Sequence, residues 1–176
     1  MKTQVNFIRQ LLIQAYEGSR WHSFKSAVQN LTEAEALWVP PTGYQGFTWA
    51  DGSILKVIFH TGADKLVQIS TAFGDGSVDW VAMEHRFKAM GGHLQAALQI
   101  AQEGYEATLD AIAPLTDDDL QVERPTWGMG RMETGKLLIL LAEHDLYHAG
   151  QIVYIRGLYA SAQKQQGVPT VLADTR

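Results

Sequence analysis

Apolar residues return every three or four positions along four stretches of the chain, and this spacing predicts four long helices. The first runs from about Gln4 to Glu17, with Val5, Ile8, Leu11, Leu12 and Ala15 on one face and Gly18-Ser19 as its end. After an irregular segment around Trp21 and Phe24, Thr32-Glu33-Ala34-Glu35 resembles a capping box that opens a short helix closed by Pro40-Pro41. The second long helix starts near Asp51 or Ser53 and reaches about Ala72. Its inward stripe begins as Ile54, Val57 and Ile58 and then turns polar, through His60 or Thr61, Asp64 or Lys65, and Gln68. A core face does not ordinarily do this.

Helical spacing resumes at about Val78, is interrupted or kinked at Gly91-Gly92, and continues from His93 to about Ala113. Pro114 and Asp117-Asp118-Asp119 mark its end, and Gln121 to Met132, with two Gly, a Pro and Trp127, reads as a long loop. The last helix spans about Thr134 to Tyr159 and carries Leu137, Leu140, Leu141, His144, His148, Gln151, Ile152 and Ile155 on one stripe. No segment alternates convincingly as a strand. The expected fold is all-α, one domain over residues 1–165 with a C-terminal tail at 166–176.

Composition removes several function classes. Apolar residues make up 46 % of the 176 and charged residues 19 %, with a net charge of −5 and no run of Lys and Arg. Disorder needs lower hydropathy and more charge, and a nucleic-acid binder needs a basic patch. Low charge together with five Trp suggests apolar surface covered by a second copy of the chain, a homodimer. There is no cysteine, so a metal must be held by imidazole or oxygen, and any thiol chemistry must use a thiol from outside. The first residues lack the apolar core of a signal peptide, and Leu137–Ala142, the longest apolar run, cannot span a bilayer. The expected location is the cytoplasm, without a membrane partner.

Candidate chemistry then concentrates on histidine. His144 and His148 lie four apart on a helix, so their imidazoles stack on one face from adjacent turns. The pair by itself also reads as two surface or core histidines, but two imidazoles among Leu137, Leu140, Leu141 and Ile152 need partners, and one shared divalent ion would supply them. His60 is the best third ligand, with Asp64 one turn on; from the residues alone it is equally a hydrogen-bonded core histidine. His22, His85 and His93 sit in irregular, charged or helix-start surroundings and read as structural or exposed. Other motifs fail. The second position of His144-Asp145-Leu146-Tyr147-His148 is Asp where a zincin has Glu, no Glu-x-x-His occurs, and there is no Gly-x-Ser-x-Gly.

The segment His144-x-x-x-His148-Ala149-Gly150-Gln151-Ile152, followed by Arg156, resembles the final-helix signature of the DinB/YfiT-like superfamily. His60 in the second long helix, the Leu31–Glu35 turn before it and Asp117–Leu120 after the third agree with that resemblance. It implies a four-helix bundle with long connections, usually homodimeric, whose His60, His144 and His148 hold one divalent ion, zinc or nickel. It also implies a metal-dependent enzyme, foremost a thiol S-transferase using a low-molecular-weight thiol such as bacillithiol, mycothiol or glutathione. Two alternatives stand beside it: a metal-dependent hydrolase with water as the nucleophile, and a non-enzymatic, metal-stabilised stress-response binding module. Asp64, Tyr147 and Gln151 are the candidates for orienting ligands or substrate. Tyr147, Gly62 and the apolar Pro125–Gly130 loop depart from the family pattern.

Overall fold

Four helices dominate the computed structural model, which describes residues 2–18, 22–41 and 51–165. These are α1 (Thr3–Ile13), α4 (Ile54–Phe73), α6 (Leu94–Ile112) and α7 (Thr134–Gln165), joined through the shorter α2 (Phe24–Ala27), α3 (Glu33–Leu37) and α5 (Trp80–Ala89). α4 packs against α6 and α7, and α1 packs against the same two, which closes a four-helix bundle. Trp21, the loop before Asp51 and the tail after Gln165 lie outside the described residues.

Helix starts follow from short polar side chains. Ser53 accepts from the Lys56 N–H to open α4, Asp79 from Ala82 to open α5, and His93 Nδ1 from Ala96 to open α6. Asp117 does more than end the third long helix. Its carboxylate accepts the N–H groups of Thr3, Gln4 and Val5 at 2.9–3.0 Å and so caps α1 from across the bundle. Gly91 and Gly92, with φ of 95° and 63°, make a full break between α5 and α6. Gly62, an oddity in the sequence, is where α4 meets α6: a Cβ there would lie 2.5 Å from the Ala101 backbone.

Several expectations need correction. Helix α1 passes into a wider turn at Gln14–Gly18 instead of running on evenly to Glu17. Thr32 does accept from the Glu35 N–H, but the Glu35 side chain turns to Arg156 at 2.8 Å; the reciprocal capping box is made by Ser23 and Ser26. α7 continues past Tyr159 to Gln165. The supposed loop Gln121–Met132 contains an antiparallel hairpin, β1 (Glu123–Thr126) and β2 (Gly130–Glu133), in register Glu123↔Glu133 to Thr126↔Gly130. Charged residues and Pro125 hide its alternation. Bonds at its base hold it: Thr134 Oγ1 donates to Val122 O, and Arg124 Nε donates to Thr134 Oγ1.

The core falls into two apolar clusters. One gathers α4, α5 and α6 with Ala149, Ile152 and Ile155 of α7; the other gathers α1 with Leu138, Leu141 and Ala142. Along α7 the change from one to the other falls at Asp145 and His148, both buried. A polar layer thus crosses the bundle at this level. None of the helices of the described residues is long and apolar enough to cross a membrane.

Candidate metal centre

Three imidazoles meet in this polar layer. His60 comes from the middle of α4, and His144 and His148 come from adjacent turns of α7. The Nε2 of His144 lies 3.1 Å from that of His60 and 3.0 Å from that of His148. The rings are steeply inclined, between 64° and 89°, so their edges converge instead of stacking. Among the described residues this is the one group of three or more His, Cys, Asp or Glu side chains close enough to share an ion. His22 and His85 are exposed elsewhere, and His93 caps α6.

The donor set fits a divalent ion better than it fits itself. Burial, reinforced for His60 and His144 by neighbouring His148, holds the imidazoles far below their usual 6.5. His60 falls to about 3 and His144 to about 2; burial takes His148 to about 4 against the opposing bond to Gln151. All three are therefore neutral. His148 Nδ1 donates to Gln151 Oε1 at 2.9 Å, which leaves its Nε2 with a lone pair facing His144. One proton on His144 Nε2 can make a linear hydrogen bond to only one of its two neighbours. Two nitrogens bound to one tetrahedral ion at about 2.0–2.1 Å sit about 3.3–3.4 Å apart, so a small opening of the cluster accommodates it.

The sequence-derived supporting residues divide. Gln151 fixes the tautomer of His148. The Asp64 carboxylate stands 3.7 Å from His144 Nδ1, close enough to orient that ring after a small closure. Burial pushes the Asp64 carboxyl up to about 6, against the opposing pull of Lys65 and Gln68. Tyr147 differs: it is exposed and touches the site only through its ring, 4.9 Å from that of His148 and inclined by 76°. It belongs to the rim.

Sequence reasoning missed three features. Trp80, at the start of α5, stacks on His60 with centroids 5.3 Å apart, and Trp127 meets Trp80 edge-on at 5.9 Å. Buried Gln68 donates to Trp127 O and accepts from Trp127 N, at 3.2 and 3.0 Å, pinning the hairpin tip beside the site. Lys65 and Asp145 form a buried ion pair between α4 and α7. The polar turn in the α4 stripe was the available signal for the last two. For Trp80 there was none, since nothing local ties α5 to α4.

The chain belongs to the DinB superfamily, whose family model matches residues 18–152. That span includes all three histidines. Neither the curated proteins nor the solved structures give a match.

Proposed function

We propose that the protein is a metal-dependent enzyme in which His60, His144 and His148 hold one divalent ion, zinc or nickel, for thiol S-transfer. The meeting of three neutral imidazoles, with the Nε2 atoms of His60 and His148 both facing that of His144, carries this reading. Three nitrogen ligands and no protein carboxylate or thiolate within the cluster match the donor set of a catalytic site more than a structural one. The His144 side chain is 22 % exposed, so the centre is open to solvent at that ligand. A divalent ion there would lower the pKa of a small thiol enough to give a nucleophile near neutral pH.

The chain's own residues supply orientation and shelter. Gln151 holds His148 in the tautomer that presents Nε2, Trp80 covers one face of His60, and Asp64, 3.7 Å from His144 Nδ1, would orient that ring on closing the gap. Trp127 and Tyr147 give the neighbourhood an apolar, partly exposed surface suited to an apolar electrophile. The sulfur must come from outside, because the chain contains no cysteine. The same reading takes the working form as a homodimer.

Cobalt-substituted protein tests it. Adding bacillithiol, mycothiol, glutathione or coenzyme A should produce a sulfur-to-metal charge-transfer band with one of them, at a pH where that free thiol is mostly protonated. The same sample should consume the thiol when given an electrophile. If the cobalt spectrum stays unchanged across the panel, the transferase reading is lost, and hydrolysis of small esters and amides becomes the reaction to screen.

A further inference from the structure

Lys65 and Asp145 are an expensive way to fill a core. Their side chains are each 1 % exposed, and the Lys65 ammonium donates to Asp145 Oδ1 and, at 3.3 Å, to the Thr61 carbonyl. The rings of Tyr16 and Phe24 lie 5.7 and 6.0 Å from the ammonium. Asp145 Oδ2 is buried with no hydrogen-bond partner. A buried pair whose lone pairs are incompletely met does not recover the cost of leaving water, and apolar replacements of similar volume are often neutral or stabilising. Stability alone therefore gives no reason for the pair.

Its location does. Asp145 directly follows His144, and Lys65 directly follows Asp64, which faces His144. Two consecutive residues of α4 thus engage two consecutive residues of α7 at one crossing. Apolar side chains at this level would tolerate a slide or a rotation of one helix on the other. A charged hydrogen bond with a fixed partner does not. One residue of slip turns a helix by about 100° and would carry His144 and His148 away from His60.

We propose that the Lys65–Asp145 pair is a positioning device. It sets the register of α4 against α7 and so spaces His60 from the two histidines of α7. The inference rests on the metal-centre reading above. It assigns the pair no contact with substrate and makes both members positioning residues. Gly62 and Gly104, which bring α4 against α6, set only the depth of α4 in the bundle. They do not fix its register on α7.

The test uses the full chain carrying K65M and D145L together, because either change alone leaves a buried charge and can fail to fold. Thermal unfolding of metal-free protein, zinc affinity by chelator competition, and the visible spectrum of the cobalt form are measured beside the parent. The expected result is an unfolding midpoint equal to or above the parent's, zinc affinity lowered about 10- to 100-fold as for loss of other ligand-orienting groups, and a changed cobalt spectrum. Parental affinity and spectrum in the double variant would overturn the inference. So would an unfolded or strongly destabilised metal-free double variant, since the pair would then be structural. A parent that takes up neither ion removes the metal centre itself, an outcome distinct from both.

Discussion

The indole of Trp80 lies flat against the imidazole of His60, with ring centroids 5.3 Å apart and planes 12° from parallel. Its Nε1 is buried without a hydrogen-bond partner. The ring therefore acts here through its face, as a cover for a ligand, and its N–H contributes nothing. Trp80→Phe should keep the metal, whereas Trp80→Ala should lose about 1–3 kcal/mol of stability, below the cost of a fully buried Trp, and bind metal more weakly. Cobalt within contact range should quench tryptophan fluorescence in the parent. Trp80→Phe should lose the largest part of that quenching, and equal quenching in the two proteins would count against the arrangement.

The three histidines should behave as a unit. Ala at His60, His144 or His148 should each remove most bound metal, because two imidazoles hold a divalent ion far less tightly than three. Ala at His22, His85 or His93 should leave metal content as it is. Element analysis of the six variants, purified without a His tag, decides the matter. Full occupancy in His60→Ala would remove α4 from the site.

Much of this was legible in the residues, for reasons that differ by element. The long helices announce themselves through period, and His144 and His148 share one helix, so their proximity follows from helical geometry. His60 is the best third ligand by sequence, but the stripe leaves open which side of α4 faces inward, offering His60 or Thr61 and Asp64 or Lys65 with equal right. The bundle resolves the choice. Thr61, Lys65 and Gln68 are fully buried, and His60 and Asp64 sit on the flank toward α7. The hairpin was illegible because much of what anchors it lies outside the strands: Gln68 holds its tip, and Thr134 joins Val122 and Arg124 at its base. Asp145 gave no local sign of its partner 80 residues earlier.

Acid should weaken the metal-free protein through the same imidazoles. Their folded-state pKa values, about 3, 2 and 4, lie below the ordinary 6.5 of an unfolded chain. Between those values the unfolded state binds more protons, so stability is intact above about pH 6.5 and falls as pH drops toward 4. The slope is at most about 1.4 kcal/mol per pH unit for each histidine. Asp64 works the other way: its carboxyl, raised to about 6, favours the folded state as pH falls from 6 to its ordinary 3.8. Asp145, raised by burial, acts in the same direction as Asp64, and three groups outweigh two. Urea unfolding in the presence of chelator at pH 7, 6 and 5 should give steadily lower midpoints, and a flat series would contradict the buried, neutral state of the cluster.

The exposed side of α7 makes the last prediction. Leu146, Val153 and Tyr154 face solvent there, with Tyr154 68 % exposed. Between His144 and Gln163 the only charged side chains are Asp145 and Arg156, and both turn inward, to Lys65 and to Glu35. Gly150 and Gly157 lie on the same side with nothing within 4 Å of where a Cβ would stand. A charge-free, aromatic face two or three turns long is what a two-fold interface uses, the same patch meeting itself. Light scattering at micromolar concentration should therefore give twice the chain mass. Tyr154→Glu should give a monomer, because it places two like charges in the centre of the self-complementary patch. Metal content should survive that change, since Tyr154 is exposed and lies beyond His148 along α7, outside the contacts of the histidine cluster. A monomeric parent would count against a covered surface altogether, and a Tyr154→Glu variant that stays dimeric would place the interface elsewhere.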